Sequence, residues 1–366
     1  MAVESRAGSP AHPGQLRGDT WRYLLRRTVR EFVRDGCPDA AAALTFFAVL
    51  SIFPAALALI AVVGLVGDSE DTVTRLLDLI DQVAPAAVAE TLRAPLLDIS
   101  GATGAGLTLV VSIATALWSA SLYVGAFGRT VNRVYEVEEG RPYWKRKPAQ
   151  IVVTIALLVL ALIVIAVITF SAAIARALGD AWDLGDAAID TWNVVRWPVL
   201  ALAAVIMVTL LFTTTSNVRH SRLRWVAPGA LLTLAVIGAS SALFTLYVST
   251  IGDYGRTFGA LGGIVVFLIW LFLLNLALLM GVEFIAELER GRQLQAGIAA
   301  EGRVERTLRD DTAIERLQEE TRITVDRGAQ LRRGKDLGPR PDGLVRRAAA
   351  AVTAWWQSLR SSTPNR

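Results

Sequence analysis

The chain has 366 residues, of which 53% are hydrophobic and 19% are charged, with a mean hydropathy of +0.46 and a formal net charge of +4. This balance excludes an ordinary soluble globular domain and indicates a membrane protein with several spans. The single cysteine, Cys37, excludes an internal disulfide, and the two histidines, His12 and His220, are too few and too far apart for a typical zinc site or for histidine-based catalysis.

The N-terminal region predicts a tail followed by a basic amphipathic helix. Residues 1–19 are rich in proline, glycine and charge, so we expect a disordered tail, and we find no signal-peptide pattern in it. In residues 20–36, apolar side chains such as Trp21 and Leu25 recur at helical spacing while five arginines cover the remaining surface. We interpret this segment as an interfacial helix on an anionic membrane surface. The alternative is a solvated helix packed on the protein's own cytoplasmic loops.

Six apolar stretches follow, and each is long enough to cross a bilayer. The last contains no charge between Phe258 and Val282, a length of about 37 Å as a helix. We therefore predict an all-α polytopic membrane protein whose domain of six transmembrane helices occupies residues 37–290. The predicted spans lie at about 40–66, 105–128, 149–177, 195–215, 226–250 and 257–285.

The distribution of basic residues predicts the orientation of the bundle. With both termini inside, 32 of the 37 Lys and Arg residues lie on the inner side and five on the outer side. Because cytoplasmic loops carry an excess of Lys and Arg, we expect cytoplasmic N- and C-termini in a bacterial inner membrane.

The segments outside the bundle are also amphipathic or charged. Residues 68–100 and 179–194 predict acidic external segments, the first of them helical. Residues 291–366 predict a largely disordered cytoplasmic tail, with a solvated helix over 298–322, a linker over 323–342 and an amphipathic helix over 343–360 that touches the inner leaflet.

The sequence contains no motif that indicates catalysis. HExxH, CxxC and GxSxG are absent, and the stretch most similar to a P-loop, at 328–336, has one residue too many between its glycines. We therefore expect no enzyme activity, no ATPase, no cofactor, no metal and no nucleic-acid partner.

The candidate functional residues are the polar and charged groups of the spans and their boundaries. Asn275 is an amide deep in the last span, and Glu283 and Glu287 share a face at its inner end. We expect Glu283 to pair with Arg129 or Arg133, either as a structural latch or as part of a substrate or proton path. Further candidates are Asn132 and Glu138 near those arginines, Pro54 as a kink, Asp253 and Arg256 in an external loop, and Gly259 and Gly263 as helix-packing positions.

Five stretches in order resemble the YihY/virulence factor BrkB family, once described as ribonuclease BN. They are AAALTFFAVLSIFP at 41–54, NRVYEVEEGRPYWKRK at 132–147, RLRWVAPGALL at 222–232, GDYGRTFGALGGIVVFLIWLF at 252–272 and GVEFIAELE at 281–289. The resemblance covers about residues 20–290 and implies a six-span bacterial inner-membrane protein associated with the cell envelope. Phe46 and Phe47 stand where the family often has a tyrosine pair, which removes any hydroxyl role there.

These observations favour a transporter, or a protein that handles a lipid or another envelope component, with a polar cavity lined by spans one, two, five and six. A lipid or a small polar solute is the expected substrate, and anionic inner-leaflet lipids are the expected partners. The alternative is a membrane-anchored scaffold that acts through its basic tails. Ribonuclease activity is the weakest hypothesis, because no carboxylate cluster or histidine pair supports it.

Overall fold

The computed structural model describes residues 10–63, 107–169, 187–219, 223–250 and 260–334, apart from the side chains of some helical positions. The predicted segments 68–100 and 343–360, and the first half of 179–194, lie outside the described residues. The chain divides into two compact units, Met1–Ala313 and Ile314–Arg366.

The described residues are helical, as predicted, with no strand among them and one isolated bridge between Val218 and Leu308. Short 3₁₀ turns occur at Pro13–Gln15 and Leu223–Trp225. The α-helices in chain order are α1 (Gly18–Arg34), α2 (Cys37–Val63), α3 (Leu107–Val134), α4 (Tyr143–Thr169), α5 (Ala187–Thr215), α6 (Ala227–Thr250), α7 (Ala260–Gln295) and α8 (Thr312–Arg332).

Four helical segments of the described residues are long and apolar enough to cross a membrane. They are Tyr143–Val164, Val194–Thr215, Leu223–Val248 and Gly262–Gln295, and they coincide with the last four predicted spans. The pair Gly18–Arg34 and Cys37–Ile52 would add a fifth if it were one broken span. The first and second predicted spans correspond to α2 and α3, and the predicted count of six is not confirmed.

A sharp turn separates the basic helix α1 from α2. Gly36 has φ +68°, a left-handed conformation that glycine adopts without steric cost, and Pro38 lies in the first turn of α2, where a proline needs no backbone N–H. The two helices are bent by 62°. The boundary between the two helices therefore lies at Gly36, immediately before α2 begins at Cys37.

The helix α7 is the centre of unit Met1–Ala313, because it packs against α6, α2 and α1. Around it, α2 packs on α3, α3 on α4, α4 on α5 and α5 on α6. The core contains the stacked rings of Phe127 and Phe212, whose centroids are 6.0 Å apart, together with the fully buried Leu279 and Val282.

Two glycines allow α6 and α7 to approach closely. A Cβ added to Gly229 would lie 2.8 Å from the carbonyl oxygen of Gly281, and a Cβ added to Gly281 would overlap the hydroxyl of Thr233. The predicted packing glycines differ from this pair: Gly259 lies outside the described residues, and Gly263 is half-buried near the start of α7.

Large apolar side chains cover the outward faces of the bundle. On α4 and α5 these include Val152, Leu162, Val194 and Leu202, all more than 40% exposed. A soluble domain would not expose such a continuous apolar surface, whereas the hydrocarbon of a membrane accepts it.

One end of the bundle has a polar surface, and we call this end the charged end. It consists of the loop 135–142, the loop 216–219 and the segment 296–311, which we call the strap. After α7 ends at Gln295, the strap runs back over both loops, so that the Arg219 N–H donates to the Thr307 carbonyl at 2.9 Å and the Arg309 N–H donates to the Asn217 carbonyl at 2.8 Å.

The strap differs from the predicted C-terminal organisation. We predicted a helix over 298–322 within a tail that starts at residue 291, whereas the helix α7 continues to Gln295, the strap is non-helical and α8 begins only at Thr312. The first compact unit extends to Ala313. The reason is that Arg309 of the strap donates to the backbone carbonyls of Thr213, Asn217 and Val218, and these partners compete with helix formation.

Candidate functional site

Asn275 lies in α7 and joins three helices through its side chain. Its Oδ1 accepts a hydrogen bond from the Tyr123 hydroxyl of α3 at 2.8 Å. Its Nδ2 donates to Thr45 Oγ1 of α2 at 3.2 Å and to the Leu271 carbonyl at 2.9 Å. The residue is only 3% exposed. The amide therefore faces the bundle interior, where its hydrogen-bonding groups have partners.

Two further polar contacts connect the helices predicted to line a cavity. Ser51 Oγ of α2 donates to the Ser119 carbonyl of α3 at 3.1 Å, and Trp270 Nε1 of α7 donates to Ser241 Oγ of α6 at 3.3 Å. Other hydroxyls bond to carbonyls of their own helix, as Ser240 does to Val236 at 2.7 Å. Polar side chains thus meet at the contact of α2 with α3 and at that of α6 with α7.

Glu287 lies in the last turns of α7 and is almost completely buried, with 1% of its surface exposed. It pairs with Arg27 of α1 at 3.2 Å and with Arg290 at 3.0 Å. Arg290 also lies 3.6 Å from Glu136, whose backbone has a φ of 53°. This ion-pair cluster fixes α1 and the start of the loop 135–142 on α7.

Glu283, one turn earlier in α7, is equally buried but carries no ion pair in the described part of the chain. It is 1% exposed, and its Oε2 has no hydrogen-bond partner. The like charges of Asp35, Glu287 and Glu31 act on it, and Arg306 of the strap is the cation that acts on it. A carboxylate in such surroundings is well suited to take up a proton or to receive a cationic or hydrogen-donating group.

The predicted pairing of Glu283 with Arg129 or Arg133 is not present among the described residues. Both arginines lie at the end of α3 with exposed side chains, and neither forms a salt bridge there. The latch of α7 is instead made by Glu287 with Arg27. The signal for Arg27 was its position on the buried face of α1, in register with Leu24, Thr28 and Glu31.

Arg306 of the strap packs over the ring of Tyr135 at the start of the loop 135–142. Its guanidinium carbon lies 4.1 Å from the centroid of the Tyr135 ring, and its Nε is buried without a hydrogen-bond partner. Burial lowers the pKa of Arg306 from its usual value, and burial raises the pKa of Tyr135. The predicted tail therefore contributes a half-buried cation whose charge acts on Glu283, and this was not predicted from the sequence.

Asn132 has a structural role at the charged end. Its Oδ1 accepts from the Asn217 N–H at 2.8 Å, and its Nδ2 donates to Glu139 at 2.9 Å. Asn217 in turn donates to the Asp310 carbonyl at 2.8 Å and to the backbone carbonyl of Glu138 at 3.2 Å. Glu138 is exposed and contributes only this backbone oxygen to the network. Asn132 and Asn217 thus join both loops to the strap.

The structure does not describe the side chains of the remaining predicted residues. Asp253, Arg256 and Gly259 lie outside the described residues, and Pro54 lies within α2 at a position whose side chain is not described. In the ranges that the structure covers, no group of three or more His, Cys, Asp or Glu side chains is placed to hold a metal ion.

Comparison with known proteins gives one family and three relatives. The family model described as "Virulence factor BrkB" matches residues 28–305. The chain is 33% identical over 255 residues to the "Putative ribonuclease-like protein YfkH" of Bacillus subtilis, an alignment that covers 69% of the chain and 90% of the relative.

Two longer relatives are each called "UPF0761 membrane protein". The protein of Alkalilimnicola ehrlichii is 28% identical over 280 residues, covering 74% of the chain and 60% of the relative. That of Halorhodospira halophila is 26% identical over 291 residues, covering 79% and 61%. The chain thus spans about three fifths of their length. No solved structure is significantly similar to the chain.

Proposed function

We propose, from the premise that the chain belongs to the virulence factor BrkB family, that this multi-pass membrane protein moves or handles a lipid or a small polar solute of the cell envelope. The helix α7 carries the residues of this function. The protein does so without hydrolysing ATP itself.

The observation that supports this proposal is the buried carboxylate of Glu283. Burying an ionisable group at the edge of a membrane without a partner is costly, and such groups in membrane proteins commonly serve transport. Asn275 lies eight residues away, about 12 Å along the same helix. A polar group could therefore pass from the surroundings of Glu283 to the amide of Asn275 along α7.

The orientation is part of the proposal. We place the charged end, with both termini, in the cytoplasm of a bacterial cell, because 32 of the 37 basic residues then lie on the inner side. The substrate would meet Glu283 from the cytoplasmic side, beneath the strap. Proton uptake by Glu283 would accompany binding or release of the substrate and couple movement to the proton gradient.

The test uses the full chain reconstituted into vesicles. Two probes are followed, a fluorescent phosphatidylethanolamine that reports lipid flipping and a pH-sensitive dye that reports proton flux. We expect the wild-type protein to accelerate at least one of them over empty vesicles, and Glu283→Gln and Asn275→Leu to reduce that acceleration. Glu138→Gln is the matched control, because the same chemical change falls on an exposed side chain that lacks a hydrogen bond in the described network. Wild-type vesicles that equal empty ones in both assays would contradict the proposal.

A second candidate is a scaffold that recruits partners, and α8 favours it. This helix of 21 residues buries none of them and alternates acids with arginines, which is typical of a solvated or partner-binding helix. If the protein is a scaffold, a chain without residues 314–366 should fail to complement a deletion of the gene, whereas the Glu283→Gln variant should complement it fully.

Ribonuclease activity is the property named for one relative, and we do not propose it here. A direct assay settles the point: purified protein with Mg²⁺ or Mn²⁺ is incubated with RNA, and cleavage that persists through purification and disappears in a carboxylate variant would require the proposal to be replaced.

A further inference from the structure

The contact between α3 and α4 brings together basic side chains that have no negative partner. Arg129 lies at the end of α3, and Arg146 and Lys147 lie in the first turn of α4. The charge of Arg146 repels both Arg129 and Lys147. Among the described residues none of the three forms a salt bridge. We call these residues the α3–α4 cationic seam.

Several basic residues elsewhere at the charged end have carboxylate partners. The carboxylate partners are Glu287 for Arg27, Glu139 for Arg141, Asp310 for Lys145, Glu287 and Glu136 for Arg290, and Glu289 for Arg292. Arg133 at the end of α3 also lacks a salt bridge among the described residues. The seam differs from it because three basic residues lie at one contact of two helices and one of them, Lys147, is buried.

Lys147 is the most deeply placed member of the seam. The residue is 8% exposed, its Nζ donates to Ser121 Oγ at 2.6 Å, and it lies 4.0 Å from the centroid of the Trp118 ring. A hydroxyl and an aromatic face stabilise an ammonium group only partly when water is excluded. An anion that approached the seam would supply the missing counter-charge.

The surroundings of the seam indicate where that anion comes from. Trp118, Tyr143 and Trp144 beside it are more than 50% exposed, and exposed Val152 and Ile155 continue the surface along α4. Exposed tryptophan and tyrosine next to an apolar face are typical of the headgroup level of a membrane. Gln150, whose side chain packs against Gly125, adds an amide at the same level.

We propose that the α3–α4 cationic seam binds the phosphate of an anionic phospholipid. Arg129 and Arg146 contact the phosphate, Lys147 compensates its charge from within, and the acyl chains lie along the apolar face of α4. A phosphate group accepts several charge-assisted hydrogen bonds, and clustered basic residues at a membrane boundary recognise this group. A nucleic acid would not account for the adjoining apolar face.

This lipid is distinct from the transported molecule of the proposed function. The seam uses side chains of α3 and α4 and none of the polar residues of α7. Its occupation is therefore independent of whether Glu283 takes part in transport, and the experiment below measures binding alone.

The test measures lipid binding to the purified full chain by native mass spectrometry. Phosphatidylglycerol, phosphatidylcholine and inorganic phosphate are added separately as probes. We expect phosphatidylglycerol to bind selectively, and Arg129→Gln combined with Arg146→Gln to weaken that binding about 30-fold, the effect of removing two basic side chains near an anionic lipid surface. Arg332→Gln combined with Arg333→Gln removes the same charge from the end of α8 and should leave the binding unchanged.

Three results would overturn the proposal. Equal binding of phosphatidylglycerol by the wild type and by the seam variant would exclude the seam as the site. Equal binding of phosphatidylcholine would exclude recognition of the anionic charge. Displacement of phosphatidylglycerol by millimolar inorganic phosphate would assign the seam to a free anion. Far-ultraviolet circular dichroism establishes that the variant is folded, and Lys147→Gln alone, which keeps both arginines, should weaken binding by a smaller factor.

Discussion

The guanidinium of Arg27 in α1 lies 3.2 Å from a carboxylate oxygen of Glu287 in α7, and the two side chains are only 12% and 1% exposed. This pair fixes the N-terminal amphipathic helix on the central helix of the bundle. The opposite face of α1 exposes Leu25, Val29 and Val33 beside an arginine stripe that includes Arg22 and Arg26. One face of the helix thus packs on α7, and the other has the composition of a membrane-surface helix.

Removing the buried cation should destabilise the bundle. Arg27→Gln leaves Glu287 with Arg290 alone, and we expect a loss of about 3 kcal/mol in the free energy of unfolding, in line with other broken buried pairs. Unfolding in sodium dodecyl sulfate measures it. The control is Arg30→Gln, because Arg30 is 66% exposed in its pair with Glu31 and should change stability little. Equal losses of unfolding free energy in the two variants would show that the buried Arg27–Glu287 pair stabilises the protein no more than an exposed pair does.

Replacing Asn275 should loosen the contact of α2, α3 and α7. Asn275→Leu leaves the hydroxyl of Tyr123 without its acceptor, and we expect a loss of about 1 kcal/mol, typical of an interhelical hydrogen bond in a membrane. Ser240→Ala is the control, since that hydroxyl bonds only to carbonyls of its own helix. If the Asn275 variant is as stable as the wild type, the hydrogen bonds of this amide do not stabilise the helix contact.

A side chain at Gly281 should separate α6 from α7. We expect Gly281→Ala to cost about 2 kcal/mol, because its Cβ would overlap the Thr233 hydroxyl and would lie 2.8 Å from the Gly229 carbonyl oxygen. Gly238→Ala lies in α6 with no atom within 4 Å of the added Cβ and should be neutral or slightly stabilising. The same unfolding assay compares them, and a neutral Gly281→Ala would disprove the close approach.

The strap should make the stability of the charged end depend on pH. Hydrogen bonds from Lys145 and Thr312 lower the pKa of Asp310 well below its usual range. A carboxylate with a depressed folded pKa contributes stability above its unfolded pKa, which is about 3.9, and loses it as the pH falls below that value. Asp310→Asn should therefore lower the melting temperature at pH 7, and the difference from wild type should shrink towards pH 3. Asp311→Asn, at an exposed neighbouring position, should have no such effect at either pH.

Two truncations should separate the strap from the segment that follows it. A chain that ends at Ala313 keeps the first compact unit, and we expect it to be expressed and to melt like the full chain. A chain that ends at Gln295 loses the partners of Asn217 and Arg290, and we expect it to aggregate or to melt at a lower temperature. Size-exclusion profiles in detergent provide the measurement, and equal behaviour of both truncations would mean that the strap is dispensable.

Local patterns predicted the parts of this protein that depend on local physics. The apolar stretches predicted α4 to α7. The pairing of Glu287, rather than Glu283, with Arg27 could not be predicted in this way. The spacing of Glu283 and Glu287 places both carboxylates on one face of α7. The packing of α1 on α7 then decides which arginine contacts that face.

The strap was missed for a related reason. Its hydrogen bonds run from Asp310 and Arg309 to loop residues more than 90 positions earlier, and many of the partners are backbone atoms. Because almost every residue type has the same backbone hydrogen-bonding groups, the sequence does not indicate which backbone atoms will act as partners. The charge alternation after residue 298 therefore predicted a helix that starts 14 residues too early.

The connection of Asn217 to Asp310 also bears on the order in which the protein is made. Asn217 and the loop 135–142 leave the ribosome long before Asp310 does, so their side chains must wait for partners while the last membrane helix is still being synthesised and inserted. The charged end can close only when the chain has grown past the strap. The surroundings of Glu283, which include Arg306 of the strap, are therefore completed only after α7 has been synthesised.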